Sequence, residues 1–401
     1  MGKYKVTSYP YRFPWREGNR FELLIDGDQF FPRMLDAISC AQYQVQLEIY
    51  LFESGHVANR FIDTLHQAAE RGVAIYLLLD DFGTRKLDEE DRQKLEHNNI
   101  HLVLYNPLET YSPVRNIIKI LRTKSAHRLQ RDHRKLLVID GQTAYLGGAG
   151  ITDEFDPACN PESYWRETMI EIKGPVVTDW RQIFESTWNQ YAASPLLRTS
   201  ATSADIGGDS LGRASMSEGP GRNDIKRALI KHITSAEYRV WLATAYFIPS
   251  WKIRRNLRLA ALNGVDVRLL LPGPHSDHPA VRHAGRRYYT RLLRHGVRIF
   301  EYQPRFFHAK TVLCDHWVSI GSTNFDHWNL YWNLEANQEI DDQSFSNIAQ
   351  EMFENDFSVC VEYTYEEWSR RAWRFRLMEW FWGKLDRLSV KMSSRIQGRK
   401  K

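Results

Sequence analysis

The chain has 401 residues, 43% of them hydrophobic and 26% charged, with a formal net charge of +5. That length allows two sizeable domains with their own cores. The composition excludes a disordered chain, and no apolar run approaches the roughly 20 residues a bilayer-spanning helix needs. The start, MGKYKVTSYPYRFPW, lacks the apolar core of a signal peptide. Cys40, Cys159, Cys314 and Cys360 are scattered without C-x-x-C spacing. Free thiols in a reducing compartment are the simplest expectation.

In chain order, LEIYLFES (47–54) reads as a strand, and AAERGVAIYLLL (68–79) as a helix end, a glycine stop and a strand. HNNIHLVLYNP (97–107) is a further strand. Residues 108–132 form an irregular insert carrying Arg115, Lys119, Arg122, Lys124, Arg128 and Arg131 among aliphatic residues. Such a segment is either a lid touching anionic headgroups or a variable surface loop. The motif HRKLLVID (133–140) follows, then the glycine turn Gly147-Gly148. Residues 194–222, rich in Ser and Gly, read as a linker.

The same succession then repeats. LATAYFIPS (242–250), AALNGVDVRLLL (260–271), RHGVRIFEYQP (294–304), HAKTVLCD (308–315) and Gly321-Ser322 stand where their counterparts stand in the first half. Helical spacing alternating with short Val/Ile/Leu runs predicts an α/β fold, a sheet covered by helices in each half. The expected division is 1–193 and 223–365 for two domains, with 366–401 as a tail. That tail holds eleven Lys or Arg and four acids, a net +7 that leaves −2 for the rest. It also carries Trp368, Trp373, Phe375, Trp380, Phe381 and Trp382. Trp with Arg or Lys suits an anionic membrane surface. The alternative is a helix packed on the body with a solvated basic face.

The spacing His-x-Lys-x4-Asp occurs twice, as His133, Lys135 and Asp140 and as His308, Lys310 and Asp315. On a strand, i and i+2 share a face. Each His–Lys pair therefore projects together, and a pseudo-two-fold axis brings both pairs to one cleft. An imidazole can attack phosphorus and hold it covalently, while a second protonates the leaving oxygen. Two lysines can stabilise the oxygens of the transition state. No metal or other cofactor is expected, because no carboxylate-rich or Cys/His cluster stands out.

These paired motifs resemble those of the phospholipase D superfamily over roughly residues 15–360. The resemblance implies two tandem phospholipase D-like α/β/α domains with the active site at their interface. It implies structural roles for Asp140 and Asp315, and histidine-supporting roles for Glu167 (in WRET) and Glu335 (in NLEAN). It implies a phosphate-binding Asn after each glycine turn. The second half supplies Asn324, whereas the first has Gly150. WREGNRFELLIDGDQFFPRMLDAI, LEIYLFES, AYFIPS and HWVSIGSTNFDHWNLYWNLEAN are similar to bacterial cardiolipin synthases of the branch without amino-terminal transmembrane helices.

That branch implies transfer of a phosphatidyl group from one phosphatidylglycerol to another, through a phosphohistidine. His133 is assigned as nucleophile and His308 as acid and base. Glu48 and Tyr246 are expected near the cleft, Glu48 either recognising the acceptor or simply paired at a strand end. An anionic phospholipid membrane is the expected partner, with peripheral placement on the cytoplasmic side of a bacterial inner membrane. Hydrolysis to phosphatidic acid is the alternative. A nuclease of the same superfamily is disfavoured because the body lacks excess positive charge, so no nucleic-acid partner is expected. A non-catalytic scaffold is disfavoured because both triples are intact.

Overall fold

In the first half, strand β1 (Arg16–Ile25) leads to helix α1 (Gly27–Cys40), β2 (Gln44–Ile49), α2 (His56–Glu70), β3 (Ala74–Asp80), α3 (Glu89–Lys94) and β4 (Ile100–Tyr105). Then come β5 (Lys135–Ile139), β6 (Thr143–Gly147), β7 (Thr168–Lys173) and α4 (Val177–Tyr191). Helix α2 forms because its apolar residues recur at helical spacing. Val57, Ala58, Phe61, Ile62, Leu65, Ala68 and Ala69 make one buried face. Its first turn is capped from a distance, the Asp153 carboxylate accepting from the Val57 N–H at 2.8 Å. Gly72, at φ +92°, supplies the left-handed residue just past its end.

The second half runs β8 (Ser210–Glu218), α5 (Asp224–Ser235), β9 (Arg239–Ala243), α6 (Trp251–Leu262), β10 (Asp266–Pro272), α7 (Pro279–Arg286), α8 (Tyr289–Leu293) and β11 (Arg298–Tyr302). It continues with β12 (Thr311–Cys314), β13 (Trp317–Gly321), β14 (Leu334–Asp341), α9 (Gln343–Ser358), β15 (Cys360–Tyr363) and α10 (Tyr365–Arg370). This computed structural model describes residues 11–107, 130–193, 196, 208–219, 222–326 and 332–373. Residues 108–129 of the basic insert, most of 194–207 and residues 374–401 of the tail lie outside the described residues.

The hydrogen-bonded strand order is β15-β11-β10-β9-β12-β13-β14-β8-β1-β7-β6-β5-β2-β3-β4. Reading outward from the β8–β1 junction, the two halves repeat one order: β8 corresponds to β1, β14 to β7, β13 to β6 and β12 to β5. In each half the motif strand pairs antiparallel with the first of three parallel strands. The stretch expected as a linker therefore contains a central strand, β8. Its small residues read as flexible punctuation. In place they are mostly buried between β1 and β14, where a short side chain lets neighbouring elements approach.

Three apolar clusters hold the layers. One packs α1 and α2 on the outer face of the first sheet half, and one packs α5, α6 and α8 on the second. The third lies between the halves. It joins Leu146, Ile170 and Ile172 to Val318, Ile320 and Ala336, with Trp180 and Phe184 of α4 and Phe353 and Phe357 of α9. Full burial of one large apolar side chain contributes about 1.5–3 kcal/mol, so this shared core is ample to fix the two halves against each other. A polar contact crosses it too: Trp180 Nε1 donates to Gln338 Oε1 at 2.8 Å.

Asp140 and Asp315 end the motif strands in left-handed backbone, at φ +52° and +51°. Asp140 accepts from the N–H groups of Gln42, Tyr43 and Gln44 at 2.8–2.9 Å. Asp315 does the same for Glu237, Tyr238 and Arg239 at 2.9–3.0 Å. Each carboxylate thus gathers the turn that leads into β2 or β9. Replacing either Asp by Ala strands three donors and should lower stability by about 2–4 kcal/mol. Asn, which keeps one acceptor and tolerates positive φ, should cost less. Urea denaturation checks this, and an unchanged midpoint in the Ala variants would refute the role.

Candidate active site

The two motif histidines sit just ahead of their strands, because their N–H groups pair across the domain boundary. The His133 N–H donates to the Leu334 carbonyl at 3.0 Å, and the Leu334 N–H to the Arg131 carbonyl at 3.0 Å. The counterpart bonds are His308 N–H to the Arg166 carbonyl at 2.8 Å and Arg166 N–H to the Phe306 carbonyl at 2.9 Å. Each two-residue ladder sets a motif histidine beside the glutamate next in chain after its partner, Glu335 after Leu334 and Glu167 after Arg166.

The side chains follow that stitching. His308 Nδ1 lies 2.5 Å from Glu167 Oε2, and Lys310 Nζ donates to the same oxygen at 3.0 Å. His133 Nδ1 lies 3.0 Å from Glu335 Oε1. Each half therefore holds the other half's histidine. A carboxylate on Nδ1 fixes the ring and leaves Nε2 for chemistry. Lys135 Nζ donates to the His133 carbonyl at 2.6 Å, which curls the lysine back beside its own histidine. The histidine side chains remain 14% and 10% exposed, whereas Glu167, Glu335 and Lys310 are fully buried.

Burial dominates the electrostatics. It lowers the pKa of His308 to about 4, with Lys310 adding to the effect, and holds His133 well below the usual histidine value, with Lys135 and Lys310 adding. Lys135 falls to about 7 through burial, against the opposing pull of Glu335. The two glutamates differ. Burial pushes Glu335 up to about 8, only partly offset by Lys135 and the Ser322 hydroxyl. Burial also raises Glu167, but Lys310 and His308 outweigh it and hold that carboxyl below its ordinary value. Two buried lysines facing one firmly ionised carboxylate leave the cleft short of negative charge, which is what an entering anion would supply.

The remaining expected residues divide. Asn324 is buried, and its Oδ1 accepts from the Tyr246 N–H and the Thr244 hydroxyl, both at 3.3 Å. Its Nδ2 has no protein partner among the described residues. In the first half a Cβ at Gly150 would lie 2.7 Å from Leu51 Cβ. The chain there pairs closely with 51–53, the Ile151 N–H donating to the Leu51 carbonyl at 2.9 Å. The Leu51 side chain and carbonyl take the space an Asn would need. Asp140 and Asp315 lie at the far ends of their strands, roughly 20 Å from the histidines at 3.3 Å per residue.

Glu48 is fully buried against Arg134 at 2.6 Å, and Arg134 also grips Asp132 through two nitrogens at 2.9 Å. That is the paired strand-end role, and it steadies the backbone next to His133. Tyr246 places its ring 6.5 Å from His308 and donates its hydroxyl to Asp277.

Several neighbours carry no signal in the motif spacing. Trp165, Phe155 and Phe306 surround His308 at 5.2–5.6 Å between ring centres, and Tyr50 lies 4.9 Å from His133. The Ser322 hydroxyl donates to Glu335 at 2.5 Å. Gly148, its counterpart, has no room for a side chain because the Glu167 carboxylate occupies that space. Among the described residues, one trio could hold a metal ion: His56, Asp156 and Cys159, with donor atoms within 4.8 Å of one another. Arg60 already pairs with that Asp156 at 3.2 Å.

Fold and site together define a duplicated phospholipase D-like protein. The chain belongs to the family described as cardiolipin synthase, PLD-like domain, whose model matches residues 34–188 and 229–357. It is 30% identical over 367 residues to a cardiolipin synthase of Clostridium perfringens, covering 89% of this chain and 74% of that one. It is 32% identical over 353 residues to cardiolipin synthase B of Shigella flexneri, covering 84% and 80%. Among solved structures, phosphatidylserine synthase of Haemophilus influenzae Rd KW20 shares the fold, with a TM-score of 0.66 at 12% identity over 96% of each chain.

The glutamate asymmetry gives a pH test. Glu335 titrates near 8 in place and near 4.5 when unfolded. The unfolded state therefore gives up its proton first, and stability falls as pH rises from about 4.5 through about 8. Glu335→Gln should flatten that fall and cost little at neutral pH. Glu167→Gln, which removes an ionised carboxylate from Lys310 and His308, should cost about 3–5 kcal/mol. Denaturant midpoints across that range check both, and equal behaviour of the two variants would contradict the asymmetry.

Proposed function

We propose that the protein is a cardiolipin synthase acting by phosphatidyl transfer. The observation that carries this is the crosswise pairing of two His–Lys sets, His133 with Glu335 and His308 with Glu167. One imidazole Nε2 attacks the phosphorus of a phosphatidylglycerol. The entering phosphate anion offsets the charge of Lys135 and Lys310 and lets the other histidine take up a proton. The bond from phosphorus to the headgroup glycerol oxygen breaks, and that histidine delivers the proton to the oxygen. Glycerol leaves and a phosphatidyl-histidine remains. The proton donor, now neutral, takes the proton from a primary hydroxyl of a second phosphatidylglycerol. That oxygen attacks phosphorus, the bond to histidine breaks, and cardiolipin forms.

Lys135 and Lys310 face the phosphoryl oxygens throughout, and the unpartnered Nδ2 of Asn324 is a further donor. A phosphodiester raises the lysine pKa values by pairing, so both are charged when substrate is bound. The names of the relatives, at about 30% identity over most of the chain, support transfer to a lipid hydroxyl over transfer to water.

Attack by His133, with His308 as acid and base, is the assignment adopted from the sequence. One observation favours the exchange. Glu167 is held ionised while Glu335 is pushed toward its protonated form. An ionised carboxylate on Nδ1 is the better support for a nucleophilic Nε2.

Supplied with phosphatidylglycerol vesicles, His133→Ala and His308→Ala should each lose about 10⁴-fold or more of cardiolipin formation. Mass spectrometry of the lipids reads this, and phosphatidic acid from the unaltered protein would indicate a hydrolase. Wild-type turnover in either variant would sink the two-histidine mechanism. Given a substrate with a good leaving group, the variant that still accumulates phosphoenzyme identifies the nucleophile as the histidine it retains.

No helix among the described residues is long and apolar enough to cross a membrane. We take the protein to sit peripherally, on the cytoplasmic face of a bacterial inner membrane, with its basic aromatic tail contributing. Trp368 does not serve there, since it is buried against Tyr289 and Tyr363. Trp373 is 74% exposed. Deleting residues 374–401 should weaken sedimentation with phosphatidylglycerol vesicles in a salt-sensitive way, and unchanged sedimentation would exclude the tail.

A further inference from the structure

Helix α6 has two unlike faces. Ile253, Leu257 and Ala260 are buried in the core of the second half. The opposite face exposes Trp251 at 60%, Leu259 at 40% and Leu262 at 62%, interleaved with Lys252, Arg255 and Arg258. Beside it, Arg291 and Arg294 are exposed at α8. Tyr288 lies between the guanidinium groups of Arg254 at 4.1 Å and Arg287 at 4.5 Å.

The segments that build the patch carry no acidic residue. Residues 250–265 and 278–300 contain no Asp or Glu. Among the described residues, none of Lys252, Arg254, Arg255, Arg258 and Arg291 forms an ion pair with a carboxylate. Crowding is strong enough that, beyond the effect of burial, neighbouring arginines hold Arg254 and Arg258 below the ordinary arginine value. A solvated helix face usually mixes both signs, so this concentration of one sign costs stability unless something anionic meets it.

Its position says where that partner lies. β9 and β10 are parallel and end at the edge where β12 begins, Ala243 standing opposite Thr311, next to Lys310. The loop from β9 into α6 carries Tyr246, whose ring faces His308 at 6.5 Å. The Trp251 end of α6 therefore borders the mouth of the cleft. Trp368 seats its Nε1 on Thr290 of α8 at 3.2 Å, so α10 packs beside the same patch.

We infer that the exposed face of α6, with Arg291 and Arg294 beside it, is the surface that rests on an anionic phospholipid bilayer and turns the cleft mouth toward the headgroups. This rests on the reading that the substrate is a membrane lipid. Cations meet the phosphate layer, while Trp251, Leu259 and Leu262 enter the acyl boundary beneath it. A polynucleotide would satisfy the cations but leave the exposed leucines in water, so a bilayer is the better match.

The test uses the full chain and vesicles of phosphatidylcholine with or without phosphatidylglycerol. Arg255→Gln with Arg291→Gln should lower partitioning onto phosphatidylglycerol vesicles by about 30-fold, and Trp251→Ser should lower it further. Neither change should alter turnover of short-chain phosphatidylglycerol supplied as dissolved monomers, which also reports correct folding. Arg255→Lys with Arg291→Lys should partition like the unaltered protein. Unchanged partitioning of the Gln variant overturns the inference. So does an equal loss in the Lys variant, or selective loss of binding to single-stranded DNA with vesicle binding intact. If the unaltered protein binds vesicles through this patch but makes no cardiolipin, the surface stands and the proposed activity falls.

Discussion

The crosswise grip of each glutamate on the other half's histidine is the constraint on which the rest depends. Glu167 belongs to the first half and holds His308; Glu335 belongs to the second and holds His133. Neither half has a complete site alone. The backbone ladders at Arg166 and Leu334, the shared core between the sheets and the Trp180–Gln338 bond all keep that exchange in register. A shift of about an ångström between halves would break both His–Glu contacts at once, so the site demands a rigid interface.

The site also carries an electrostatic deficit. Lysines buried as deeply as Lys135 and Lys310 are costly unless paired. The protein provides one firmly ionised carboxylate, Glu167, for Lys310, and a reluctant one, Glu335, near Lys135. A phosphodiester entering the cleft completes the balance. Binding and charge compensation are therefore one event, and the same cations stand ready for charge developing at phosphorus.

Duplication has not kept the halves equal. At matched positions the second half has Ser322 and Asn324, the first Gly148 and Gly150. In the first half the Glu167 carboxylate and Leu51 fill the space those side chains would need. His308 sits inside an aromatic collar, while His133 has Tyr50 beside it. Two chemically different imidazoles suit a reaction in which one attacks and the other moves protons.

Much of this was legible in the sequence because it is local or repeated. The alternation of helix and strand and the two His–Lys–Asp triples follow from spacing along the chain, while the supporting glutamates and the missing first Asn follow from the family resemblance. What the sequence hid depends on contacts between distant residues. The Ser- and Gly-rich stretch conceals β8, since its small side chains suit a crowded central strand as well as a loop. Which glutamate serves which histidine, why Gly150 excludes a side chain, and the role of Glu48 as partner of Arg134 were decided by packing across the interface. The cationic patch is assembled only by the fold, which brings Arg291 and Arg294 at α8 beside Arg255 and Arg258 of α6. By itself the sequence determined the chemistry available and the repeated frame that carries it. The tertiary structure decided how two incomplete halves trade residues, because burial and pairing across the interface set the charge and reach of every group in the cleft.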